Sequence, residues 1–173
     1  MQDNAASQQA RHHVETMYAQ DACAQNMGMH IEHIDVGFAQ LSMKIIPSML
    51  NGHQSCHGGI LFSLADTAFA YACNSEGLAA VASSGSIDFI CPVLVDDQLT
   101  ATASVQHQGK TTGLYDVEIT NQAGNIVALF RGRAHRVGHH ISDNSLNNDF
   151  LNNSSLNNDP LNNIQKNRQG EQS

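Results

Sequence analysis

The sequence predicts an α+β domain, an antiparallel sheet wrapped around one central helix, and three features carry that prediction. One is a single apolar, helix-like segment, ILFSLADTAFAYACN over 60–74, rich in helix formers and free of proline. The second is a series of strand-like stretches behind it, 79–90, 98–107, 113–120 and 125–136, built on Val, Ile, Thr and Ala alternation. The third is the shortness of the links between them: VDD, QGKTTG and NQAG are turns, and short turns join antiparallel neighbours.

Ahead of these, residues 8–24 place Ala10, Val14, Met17, Tyr18 and Ala22 at helical spacing, which predicts a short amphipathic helix. From Met29 to Ile46 the apolar residues alternate in two pieces, Ile31, Ile34 and Val36, then Leu41, Met43 and Ile45. Gly37 lies between them and Pro47 closes the segment, so a hairpin or two short strands are expected. NGHQSCHGG, 51–59, is a loop of turn residues. The 60–74 segment is apolar almost all round, so other structure must enclose it, and Phe62, Phe69 and Tyr71 are read as core. Ser63, Asp66, Thr67, Ala70 and Asn74 nevertheless share one arc of about 100°. That stripe is expected to face something other than core.

The 173 residues, 41% of them hydrophobic, suffice for one domain. It is expected to span 1–137, with 1–7 disordered. Over 138–173, Leu146, Leu151, Leu156 and Leu161 are each followed by Asn-Asn, a five-residue period that fits neither a helix nor a solenoid. This low-complexity tail is expected to be disordered. No apolar run approaches the roughly 20 residues that span a bilayer. The polar start, MQDNAASQQARHHVE, lacks the pattern of a secretory signal, so the cytoplasm is expected and a membrane partner is not. Four cysteines without a CxxC pair read as reduced thiols. A net charge of -8 with eight Lys+Arg argues against nucleic acid as a partner.

Asp66 raises the functional question. An ionised carboxylate taken out of water costs several kcal/mol unless it is paired or used. At the start of the same helix, His57-Gly58-Gly59 exposes backbone N–H groups where the helix dipole favours negative charge. Such an amide can hold the oxyanion formed when a carbonyl is attacked, and Asp66 can attack or activate water. Eight residues of helix separate Gly58 from Asp66, roughly 12 Å, too far to act on one carbonyl. Two antiparallel copies of the helix would bring Gly58 of one chain towards Asp66 of another.

The segments NGHQSCHGGILFSLADTAFAYACNSEGLAAVASSGSIDFICP and LTATASVQHQGKTTGLYDVEITNQAGNIVALFRGRAHR resemble the hotdog-fold acyl-CoA thioesterases of the phenylacetate-degradation (PaaI) type, over about residues 10–137. The resemblance implies a hotdog fold, subunits paired through the sheet, a homotetramer built as a dimer of dimers, and hydrolysis of (hydroxy)phenylacetyl-CoA-type aryl-acyl thioesters. It implies Asp66 as the catalytic carboxylate, as nucleophile or general base, and the Gly58 amide as oxyanion donor. His57 and Asn51 would shape the carbonyl site, with Thr67 beside the carboxylate. Ser83, Ser84, Gly109, Lys110 and Thr111 would approach the CoA arm. Coenzyme A is then part of the substrate, and no separate cofactor or metal is required. Cys91 precedes Pro92 where sequences of this type often carry Arg, so Lys110 or Arg131 would have to supply the missing cation.

Three other readings use the same residues. A hotdog hydratase or dehydratase would need His57 as the essential group, and a non-catalytic acyl-CoA binding module would bind without turnover. Cys56 beside His57 suggests a nucleophilic pair, although adjacent side chains usually point apart.

Overall fold

The strands Met29–Asp35 (β1) and Phe38–Lys44 (β2) pair antiparallel across a turn at Val36-Gly37. Gly37 has a φ of +70°, and a Cβ there would stand 2.7 Å from Val105, so glycine is required on two counts. The later strands are Leu78–Phe89 (β3), Gln98–Gln108 (β4), Thr112–Thr120 (β5) and Ile126–His140 (β6). The computed structural model describes residues 5–141, in which the six strands form one antiparallel sheet in the order β1-β2-β4-β5-β6-β3.

Helix Gly58–Asn74 (α3) lies along one face of this sheet. Period-two alternation supplies the facing layer: Leu41 and Met43 of β2, Leu99, Ala101 and Ala103 of β4, Tyr115, Val117 and Ile119 of β5, and Ala128 and Phe130 of β6 are all buried. From α3 come Leu61, Leu64, Ala65, Ala68, Phe69 and Ala72. Each large apolar side chain so buried contributes about 1.5–3 kcal/mol. This is the wrapped helix that the sequence predicts.

Behind the middle of α3 the sheet is locally bare. Gly85 of β3 and Gly132 of β6 are paired residues, and a Cβ on either would lie 2.9 Å from the Phe130 ring. Their bare Cα atoms make room for a file of edge-packed rings. Phe62 meets Phe130 at 5.3 Å, Phe130 meets Phe69 at 5.9 Å, and Phe69 meets Tyr115 at 5.6 Å.

Asn74, expected on the functional stripe, belongs to the fold instead. It is buried, its Oδ1 accepts the Ala80 N–H at 2.8 Å, and its Nδ2 donates to the Ala80 carbonyl at 3.0 Å. The side-chain amide thus pairs with the start of β3 as a strand would, because β3 passes the end of α3 where no strand is available.

The ends differ from expectation. Instead of one helix over 8–24 there are two, Ala5–Tyr18 (α1) and Ala22–Asn26 (α2). Asp21 caps α2 through the Ala24 N–H and accepts the Tyr71 hydroxyl at 3.0 Å, which breaks the run and ties it to α3. Residues 5–7, expected to be disordered, are helical, and Ser7 donates to Asp35. The strand expected to stop at 136 continues to His140 because Leu78 pairs with it, and the Ile141 N–H bonds Gly77 O, so the fold runs past 137. Residues 1–4 and 142–173, the latter including the Leu-Asn-Asn repeat, lie outside the described residues.

The two sheet edges are unlike. β1 is covered by α1 and α2. Among the described residues β3 has neighbours on one side only; it carries no charge from Leu78 to Ile87 and is exposed from Ala82 to Ser86. Long uncharged edges are templates for pairing with another strand. Among the described residues no helix is long and apolar enough to cross a membrane.

Candidate active site

The N-terminus of α3 is assembled by its loop. Asn51 Oδ1 accepts the N–H of His53 at 2.8 Å and of Ser55 at 3.3 Å, and its Nδ2 donates to Ser55 Oγ at 3.1 Å. The Oδ1 and one Nδ2 N–H of this amide fold 51–55, so Asn51 shapes the loop that leads into the helix. The His57 N–H bonds the Met49 carbonyl and Cys56 N–H the Val93 carbonyl, which fixes where the helix begins.

His57 is the N-cap. Its Nδ1 accepts the Gly59 N–H at 3.1 Å, which places the proton of the neutral ring on Nε2. The Ile60 N–H is taken by the His57 carbonyl at 2.9 Å. Of the first three amides, Gly58 alone has no acceptor among the described residues. Phe89 explains the glycine: its ring tip lies 2.8 Å from the position of a Cβ at residue 58, so any side chain would displace the ring.

Two turns along, Asp66 is half-buried on an otherwise apolar helix. Burial raises its carboxyl above the ordinary aspartate range, and among the described residues neither a hydrogen bond nor a cation offsets it. Thr67 is half-buried beside it. The helix keeps Gly58 and Asp66 roughly 12 Å apart in one chain.

The residues expected near CoA fall in two places. Ser83 and Ser84 are exposed on the open β3 edge, where Ser83 Oγ donates to the Arg133 carbonyl at 3.1 Å beside a register shift. Gly109, Lys110 and Thr111 form the β4–β5 turn, closed by Gly109 N–H to the Thr112 carbonyl at 2.8 Å. Arg136 joins that turn to the far end of α3: its N–H bonds the Thr111 carbonyl and its Nη2 meets Glu76 at 2.6 Å. The turn therefore lies at the Asn74 end of a helix about 25 Å long, away from Gly58. Lys110 is exposed there. Arg131 cannot replace the cation missing at Cys91, because it forms a two-point pair with Asp116 at 2.6 and 2.8 Å.

Cys56 is buried, its thiol pushed up to about 11 by burial, so it holds no thiolate for a nucleophilic pair. Among the described residues no three His, Cys, Asp or Glu side chains converge as metal ligands. A groove of about 720 Å³ on the opposite face of the sheet, lined by residues such as Thr102, Ser104, Asp116, Glu118 and Arg131, includes neither Gly58 nor Asp66.

Two aromatic residues escaped the sequence reading. Phe89 covers the Gly58 turn, and Phe62, read as core, is 36% exposed midway along the helix between Gly58 and Asp66. Phe69 and Tyr71 are buried as expected. The available signal was helical phase: Gly58, Phe62 and Asp66 are spaced four residues apart.

Comparison with known proteins agrees with this arrangement. Residues 53–128 match the thioesterase superfamily model. The acyl-coenzyme A thioesterase PaaI of Escherichia coli (strain K12) is 61% identical over 132 residues, covering 76% of this chain and 94% of that protein. The solved structure of the E. coli PaaI protein from the phenylacetic acid degradation operon superposes with a TM-score of 0.78 at 59% identity, covering 79% of this chain and 99% of that one. A hypothetical thioesterase of Streptococcus pneumoniae TIGR4, solved with coenzyme A, superposes with a TM-score of 0.63 at 34% identity, covering 65% of this chain and 90% of that one. The sheet that wraps α3 is thus the hotdog fold, and the chain belongs to the PaaI-type acyl-CoA thioesterases of the thioesterase superfamily.

Proposed function

We propose that the protein hydrolyses (hydroxy)phenylacetyl-CoA-type aryl-acyl thioesters at two composite sites of a homodimer. The observation that carries this reading is Asp66, a half-buried carboxylate with neither a cation nor a hydrogen bond to offset its burial. The open, uncharged β3 edge supports pairing with a second copy. In the antiparallel arrangement the Gly58 amide of one chain holds the thioester oxygen while Asp66 of the other attacks the carbonyl or takes a proton from water. The tetrahedral intermediate collapses with cleavage of the C–S bond; where Asp66 is the attacking group, water then opens the acyl-aspartyl anhydride and restores the carboxylate. Coenzyme A leaves as its thiol and the acid is released. A thiolate leaves readily, so little acid assistance is needed.

The same packing brings the partner's 109–111 turn to the Gly58 end, where Lys110 can meet the CoA phosphates. His57 orders the turn. With its Nδ1 occupied by Gly59 it is poorly placed as the essential base of a hydratase. Coenzyme A is the only non-protein group the reaction needs, as part of the substrate. Assembly of two dimers into a homotetramer and a cytoplasmic location complete the reading.

The test is thiol release from aryl-acetyl, benzoyl and aliphatic CoA esters by wild type and Asp66→Asn. The reading expects arylacetyl esters to be preferred and turnover to fall by roughly 10²–10⁴ in the variant with CoA binding kept. Equal turnover in both proteins would refute it. Single turnover in ¹⁸O water probes the two roles of Asp66: label in Asp66 requires an anhydride opened at the Asp66 carbonyl, whereas a general base leaves Asp66 unlabelled.

A further inference from the structure

We propose that Phe62 sets acyl selectivity, meeting its own copy across the dimer axis so that the two rings wall both composite sites. The inference rests on the composite site proposed above and assigns a residue within it.

The placement follows from symmetry. When Gly58 of one antiparallel helix faces Asp66 of the other, and the reverse, the residue midway between them faces itself. That residue is Phe62. It lies four residues from Gly58 and four from Asp66, roughly 6 Å along the axis in each direction. Each carbonyl site therefore has two Phe62 rings at the same remove, one along each helix. An aryl ring joined to the carbonyl through one methylene reaches that far. Stacked or edge-on ring pairs are favoured at about 4.5–7 Å.

The ring is also held for this role. Phe62 is 36% exposed, against 1% for Phe69 and 3% for Phe130, so it is the member of the aromatic file that reaches the surface. Phe130 meets it edge-on at 5.3 Å and 83°. Phe69 and Tyr115 stand behind Phe130, so the ring cannot retreat into the core. Gly85 faces both rings: a Cβ there would lie 2.9 Å from Phe130 and 3.4 Å from Phe62 Cζ. The glycine lets the two rings pack against the sheet, which fixes the Phe62 ring at the surface as a flat wall for an aryl group, and the rings on both sides of the axis shorten the path of a long straight chain.

The experiment compares phenylacetyl-CoA with octanoyl-CoA in wild type, Phe62→Leu and Phe62→Ala, with Asp66→Asn alongside. Phe62→Ala is expected to raise KM for phenylacetyl-CoA roughly tenfold, the worth of an aromatic pair. Its kcat should change less than KM, and kcat/KM should shift towards octanoyl-CoA. Phe62→Leu should shift the same way by a smaller factor, and it keeps the test valid if the Ala variant folds poorly. In a Cys23→Ser/Cys91→Ser background, Phe62→Cys should be joined to its own copy by a short bismaleimide. An unchanged substrate ratio in both variants overturns the selectivity role, and failure of the cross-link overturns the axial placement. If Asp66→Asn is inactive while the ratio is unchanged, the inference alone fails. If Asp66→Asn is fully active, the composite site itself fails.

Discussion

The ring of Phe89 occupies the space that a side chain at Gly58 would need, 2.8 Å from the position of its Cβ. Glycine at 58 thus serves the ring as well as the amide, and two substitutions separate these roles. Gly58→Ala keeps the N–H but pushes the ring aside, and a misplacement of about 1 Å costs on the order of 10²-fold in turnover. Gly58→Pro removes the donor at a helix position that tolerates proline, and loss of one oxyanion donor costs about 10²–10³ in kcat. Phe89→Ala should recover activity in the Ala variant and not in the Pro variant. Steady-state kinetics of the four proteins check this.

Asp66 links activity to stability. Burial raises its folded-state pKa above the unfolded value. The protonated form is thus favoured in the fold, and the stability tied to it is complete below the unfolded pKa and lost as pH rises through the folded pKa. Asp66→Asn should therefore match wild type in acid and melt at a higher temperature at neutral pH. Thermal melts from pH 4 to 8 should show a gap that opens with pH. The acid limb of kcat/KM should lie above the ordinary aspartate range for the same reason.

Asn74→Ala tests the fold rather than the chemistry. It leaves the Ala80 N–H and carbonyl without the partners that Asn74 provides. A loss of about 2–4 kcal/mol is expected, read as a lower urea midpoint at constant m-value. An unchanged midpoint would mean that water replaces both bonds.

The buried thiols should be inert. Burial pushes Cys56 up to about 11 and Cys73 up to about 12. Iodoacetamide at neutral pH should label exposed Cys23 and spare both until the protein is unfolded, as mass spectrometry of digests will show. Cys56→Ser should hydrolyse thioester within a few-fold of wild type. Labelling of native Cys56 with loss of activity would revive the nucleophilic cysteine.

What the sequence makes legible is what periodicity and turn chemistry control. Alternation in LTATASVQH and GLYDVEIT, with short turns between, leaves antiparallel neighbours as the simplest solution. Asp66 is legible because a carboxylate in so apolar a helix is costly. Asn74 shares that helix face, yet its partner is a strand passing the helix end, which no local pattern encodes. Phe62 has the composition of core, and only its phase relative to Gly58 and Asp66 marks it as different. Gly138 and His140 read as tail until Leu78 supplies a pairing partner.

Composite sites are tested most directly by mixing two crippled proteins. Gly58→Pro lacks the amide and Asp66→Asn lacks the carboxylate, but a heterodimer holds one site with both native groups and one with neither. Unfolding and refolding an equal mixture should restore thiol release to roughly a quarter of the wild-type rate, because half the dimers are mixed and each has one intact site. Activity no higher than that of the two variants refolded separately would contradict the account, because Gly58 and Asp66 would then act within one chain or not as partners.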